Sequence, residues 1–117
     1  MSKWRKEEEW MRQVTPATIE QLTTDHMALV DFWASWCGPC QMMEPVLAAL
    51  DQEFGVEINF GKLNVEKYQD FAVSNNIMSI PALILYVDGQ PKEKITGYRE
   101  LAAMRAYLKR KLAEYPA

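Results

Sequence analysis

The sequence predicts one α/β domain built on a mixed β-sheet, and three observations carry that expectation. Strand-length apolar runs alternate with segments whose apolar residues recur at helical spacing, in the order β-α-β-α-β-β-α after a first helix. The run Ala28-Leu29-Val30-Asp31-Phe32-Trp33-Ala34 is apolar at all but one position, as a strand covered by helices on both faces must be. Asp88-Gly89 is a two-residue hairpin signal, which makes the last strand pair antiparallel. At 117 residues the chain has the length of a single domain.

Each element has its own justification. Thr15-Pro16 supplies a hydroxyl cap and a proline at the first helical position, with Ile19 and Leu22 as the apolar face. A short strand ahead of it has room but no clear signal. After the 28–34 strand, Met43, Val46, Leu47, Leu50 and Phe54 recur at helical spacing from Cys37 onward, and Pro45 is expected to kink that helix. Ile58, Phe60 and Leu63 mark a strand over 57–63, and Asn64 is expected to cap a helix through Tyr68, Phe71, Ala72 and Val73. Pro81 opens the apolar run 82–87, which pairs with 93–96 across the Asp88-Gly89 turn. Gly97 then breaks the chain before a last helix bearing Leu101, Met104, Leu108 and Leu112. Residues 1–11, with Trp4 and Trp10 among charges, form an N-terminal extension to a domain over 12–117.

Composition excludes several functions. Hydrophobic residues at 49% and charged residues at 25% are the ordinary globular mix. Thirteen Lys and Arg against 16 Asp and Glu leave a net charge of −3, which argues against a nucleic-acid or anionic-membrane binder. No stretch approaches the roughly 20 apolar residues of a membrane span. Lys3, Arg5, Lys6, Glu7, Glu8 and Glu9 occupy the place of a secretory signal's apolar core, so the expected location is cytoplasmic. His26, the one histidine, is expected in an exposed loop.

The chemistry concentrates in Cys37-Gly38-Pro39-Cys40, which holds both cysteines of the chain at a strand-to-helix junction. A Cys-x-x-Cys so placed reads as a reversible dithiol–disulfide pair. Residues three apart on a helix face the same way at roughly 5–6 Å, slightly more than the ~3.5–4.5 Å between disulfide-bonded β-carbons, so a small adjustment opens or closes the bridge. The spacing alone leaves two alternatives: two ordinary buried cysteines, or half of a metal site shared between chains. Cys37 stands at a helix N-terminus, where unpaired N–H groups favour a thiolate, and is the expected nucleophile. Cys40, one turn on and expected to be deeper, is the resolving thiol. Gly38 and Pro39 place no cation between them, which favours a reductant. Asp31 puts a carboxylate in an apolar strand, where it is costly; it is either a strand-end residue reaching solvent or a buried proton acceptor for Cys40.

Val30-Asp31-Phe32-Trp33-Ala34-Ser35-Trp36-Cys37-Gly38-Pro39-Cys40, then Pro45, Lys62-Leu63-Asn64-Val65, Met78-Ser79-Ile80-Pro81, Asp88-Gly89 and Gly97 together resemble the thioredoxin family, over residues 14–112. The resemblance implies a three-layer sandwich: a central mixed sheet of about five strands flanked by four helices. It implies a protein-disulfide reductase and electron carrier working through Cys37 and Cys40, with Asp31 beneath the disulfide and Lys62 nearby to modulate it. It implies a cis Ile80–Pro81 bond facing the disulfide, and a substrate surface of Trp36, Gly38, Pro39, Ile80, Pro81 and Gly97, rimmed by Met42 and Met78. Trp33 and Met43 are expected in the core. No bound cofactor or metal is implied, since the dithiol is itself the carrier. The implied partners are a thioredoxin reductase and disulfide-containing proteins, with a monomer as the default. Ala82, Gln41 and Tyr98 depart from the residues common in the family and bear on substrate preference. Competing readings are a reductase dedicated to one partner through the Tyr98 and Met78 surface, and a binding platform indifferent to the thiols.

Overall fold

Five strands form one sheet in the order β1-β3-β2-β4-β5 in the computed structural model, which describes residues 12–117. Along the chain these are β1 (Arg12–Gln13), α1 (Ile19–Thr23), β2 (Met27–Trp33), α2 (Gly38–Phe54), β3 (Ile58–Asn64), α3 (Gln69–Ser74), β4 (Ala82–Val87), β5 (Gln90–Thr96) and α4 (Leu101–Glu114). β1, β3 and β2 run parallel, while β4 is antiparallel to β2 and β5 to β4. The predicted mixed sheet is therefore present. Trp4 and Trp10 lie outside the described residues.

Alternation along the strands divides the core into two layers. Met27 and Leu29 of β2, Ile58 and Phe60 of β3, and Leu83 and Leu85 of β4 pack against Met43, Leu47 and Leu50 of α2 and Met104 and Leu108 of α4. The intervening Ala28, Val30 and Phe32, with Leu63 and Ile84, meet Ile19 and Leu22 of α1 and the partly buried Phe71 of α3 on the other face. Helices thus cover both faces of β2, which explains its unbroken apolar run. Each fully buried Leu or Phe contributes about 1.5–3 kcal/mol relative to exposure.

Element boundaries differ from expectation for local reasons. The Thr15 hydroxyl accepts the Ala17 N–H at 3.1 Å, so it caps a turn, and α1 begins at Ile19. Asn64 Oδ1 likewise accepts from the Glu66 and Lys67 N–H groups at 2.7 and 3.3 Å; it closes the turn ahead of α3 rather than capping the helix. α2 is continuous through Pro45, where proline removes the bond to the Gln41 carbonyl. The hairpin turn has positive φ at both Asp88 (52°) and Gly89 (84°), as a type I′ turn requires, and β5 begins at Gln90, earlier than the expected 93. His26 is not an exposed loop residue. Its Nε2 lies 2.7 Å from the Tyr115 carbonyl oxygen and its Nδ1 3.5 Å from Asp88, which ties the end of α4 to the hairpin turn.

Gly61 was not singled out in the sequence, yet β3 needs it. It lies opposite Arg12 on one side and Val30 on the other. A Cβ there would run into the Leu22 side chain and come within 3.2 Å of the Arg12 carbonyl oxygen. Gly61→Ala should therefore destabilise the fold by about 1–3 kcal/mol, through overpacking against α1. At this chain length that is a fall in Tm of about 4 °C per kcal/mol. A thermal melt decides it, and an unchanged Tm would mean that α1 yields freely.

Candidate active site

The parallel β3–β2 pair delivers the end of β2 to the N-terminus of α2, and the loop Ala34-Ser35-Trp36 joins them. Cys37 is the residue that caps α2, with extended backbone (φ −95°, ψ 107°). Its Sγ accepts the Cys40 N–H at 3.2 Å, one of the donors left open at the start of the helix. Cys37 and Cys40 are disulfide-bonded with their Cα atoms 5.2 Å apart, inside the range a bridge accepts. The cysteines are 4% and 2% exposed, so the expected contrast in burial is absent in the disulfide form. Capping position distinguishes them instead. Ala34, Trp33, Val65 and Ile80 pack around the pair.

A brace that the sequence reading missed fixes the loop before Cys37. Glu66 Oε1 accepts both the Ser35 N–H (2.8 Å) and the Ser35 hydroxyl (2.9 Å), and Gln41 Nε2 donates to the Ser35 carbonyl at 3.0 Å. These donors hold the Glu66 carboxyl below the usual carboxylate range. The Val65 N–H adds a bond to the Trp33 carbonyl at 2.9 Å. Gln41, noted only as a departure from family pattern, thus has a local task.

Large apolar side chains are exposed in the segments that carry the two cysteines and the cis-proline. Trp36 is 70% exposed, Met42 58% and Met78 91%, whereas Met43 is buried as expected. Nothing lies within 4 Å of where a Gly38 side chain would start. Ile80–Pro81 is cis, and the Pro81 carbonyl accepts the Gly97 N–H at 2.8 Å, with Gly97 at a φ of 89° that favours glycine. Gly97 thereby sits against the cis-proline segment. Trp33 is only partly buried, against the disulfide rather than wholly in the core, and its buried Nε1 has no hydrogen-bond partner among the described residues.

Asp31 is 1% exposed, and neither carboxylate oxygen has a hydrogen-bond partner among the described residues. It does not reach solvent. Burial raises its pKa from 3.8 to about 7; the charge of Glu44 adds to the rise and Lys62 opposes it. Lys62 is the register partner of Asp31 on β3. Its ammonium, however, pairs with Glu44 Oε2 at 2.8 Å and lies 5.2 Å from the Trp33 ring centroid. Glu44 was missed; its place one turn beyond Cys40 on the same helix was the available signal. Among the described residues no cluster of three or more His, Cys, Asp or Glu is placed to hold a metal ion.

A family model described as thioredoxin matches residues 8–110. The chain belongs to the thioredoxin family. It is 42% identical over 89 residues to the thioredoxin of Listeria monocytogenes, which covers 76% of this chain and 86% of the relative. It is 36% identical over 100 residues to that of Bacillus subtilis, 86% of this chain and 96% of the relative. Among solved structures, a mutant thioredoxin from Halobacterium salinarum superimposes with a TM-score of 0.81 at 27% identity, covering 97% of this chain and 96% of that one. The expected three-layer fold is that of these relatives. As a thioredoxin-family member the protein is a thiol–disulfide oxidoreductase, reducing disulfide-containing proteins through the Cys37–Cys40 pair. No helix among the described residues is long and apolar enough to cross a membrane.

Proposed function

We propose that this thioredoxin-family protein is a general, monomeric, cytoplasmic reductant, recharged by a thioredoxin reductase, with 12–117 as the functional domain and 1–11 as an extension. Reduced Cys37 attacks one sulfur of a substrate disulfide; the substrate S–S bond breaks, and one substrate thiolate leaves. Cys40, deprotonated by Asp31, then attacks Cys37 Sγ in the mixed disulfide. The second substrate thiol departs, and two electrons have passed from the Cys37–Cys40 dithiol to the substrate. The observation that carries this order is Cys37 Sγ at the cap of α2, accepting the Cys40 N–H, a position that favours negative sulfur.

Substrate binding falls to Trp36, Gly38, Pro39, Ile80, Pro81 and Gly97, supported by the exposure of Trp36 and the open space over Gly38. Pro81 has no N–H, and its carbonyl already accepts from Gly97. Ile80 and Pro81 offer backbone groups to an extended substrate segment by strand addition, with the Ile80 N–H as the donor that proline lacks. Lys62 acts on Asp31 by its charge. Equilibration in glutathione or dithiothreitol buffers should give a reduction potential near the reference value for thioredoxin, about −270 mV. A potential above about −200 mV would make the protein an oxidant or isomerase and remove the cytoplasmic assignment with it.

A further inference from the structure

Asp31, Lys62 and Leu83 stand side by side in register, on the sheet face that α2 covers. Lys62 is thus the cation best placed to meet the buried Asp31 carboxylate, yet that carboxylate has no hydrogen-bond partner among the described residues. The ammonium goes to Glu44 Oε2 instead, at 2.8 Å, and rests over the Trp33 ring at 5.2 Å. A lysine side chain is long and flexible, and a buried carboxylate beside it is a strong competitor for its charge. We propose that Glu44 is a positioning residue for the exchange reaction: it holds the Lys62 ammonium on the α2 side, so that Asp31 is left without an ion partner and free to exchange a proton with Cys40. This rests on the reading of Asp31 as the proton acceptor.

The groups that face Asp31 support the assignment. β3 presents Lys62 and β4 presents the apolar Leu83. α2 presents Glu44, and its Cys37 and Cys40 do not titrate while disulfide-bonded. Glu44 and Lys62 are the charged groups that act on Asp31, with opposite signs. Neutralising Glu44 both removes the like charge and frees Lys62 to turn toward Asp31.

The deciding experiment follows the Asp31 carboxyl carbon by NMR in the oxidised protein across pH, its signal identified by loss in Asp31→Asn. In Glu44→Gln the titration midpoint should move down by about one pH unit, since an opposite charge within ~4–6 Å lowers a carboxyl by about 1–3. In a Lys62→Met background, adding Glu44→Gln should move the midpoint less than half as far. An unmoved midpoint in Glu44→Gln overturns the proposal. So does an equal movement in both backgrounds, which would make Glu44 a direct charge on Asp31 and no anchor for Lys62. The pH–rate profile for reduction of a protein disulfide, taken on the same variants, should follow the midpoint. A midpoint that moves while the profile stays overturns the proton-acceptor reading, and Glu44's part in the reaction with it, while leaving the placement of Lys62 measured.

Discussion

Cys37→Ser should abolish protein-disulfide reduction, lowering the rate at least about 10³-fold, the scale on which loss of an enzymatic nucleophile is felt. Serine at Cys37 retains an oxygen able to accept the Cys40 N–H, so the start of α2 survives while the thiolate is lost. The chain has two cysteines, so no third thiol can substitute. Cys40→Ser should behave differently. It attacks once and stops, because the mixed disulfide on Cys37 then lacks the neighbour that resolves it. Mass spectrometry after exposure to a disulfide-bonded protein should find Cys40→Ser covalently linked to substrate, and Cys37→Ser unlinked. Turnover by Cys37→Ser, or linkage through Cys40 in that variant, would reverse the assignment of the two thiols. Multiple turnover by Cys40→Ser would remove its resolving role. A binding platform indifferent to thiols would tolerate both substitutions in the cell.

The features legible in the sequence were those written in local pattern. The apolar run of β2, the helical spacing of Met43, Leu47 and Leu50, and the Asp88-Gly89 turn each express a geometric need within a few residues. The Cys-x-x-Cys pair was legible for the same reason. What escaped was set by contacts distant in sequence. Glu66 reaches Ser35 across 31 residues, and His26 reaches Tyr115 across 89. Glu44 stands one turn beyond Cys40, but its pairing with Lys62 depends on α2 packing against β3, which no local pattern announces. Gly61 is demanded by the close approach of α1 and β1, and β3 by itself would accept a larger residue. Asp31 was half legible: a carboxylate in an apolar run signalled cost, but its lack of a hydrogen-bond partner among the described residues is a property of the folded surroundings.

That cost leads to the largest stability effect expected of the fold. The Asp31 pKa is raised from 3.8 to about 7, chiefly by burial. An acid whose folded pKa lies above its unfolded value binds more protons in the folded state between the two, so stability falls as pH rises through that window. Below pH 3.8 both states are protonated and the penalty is absent; above about pH 7 it is complete. At 1.36 kcal/mol per pH unit, the window amounts to about 4 kcal/mol. Asp31→Ala removes the titrating group, so its stability relative to the native chain should rise by about 4 kcal/mol between pH 4 and pH 8. The small cavity it leaves lowers the whole curve by an amount independent of pH, which the value at pH 4 reads to within about 0.6 kcal/mol. Urea unfolding of the oxidised protein at pH 4, 6 and 8 makes the measurement without interference from the thiols. A flat difference would show that Asp31 does not hold its proton to neutral pH, and would leave Cys40 without its acceptor. A rising one joins the cost to the chemistry, because a carboxyl that is half ionised near pH 7 can take a proton as readily as give it. The same variant should then be a slower reductase, the stability being gained at the expense of the reaction.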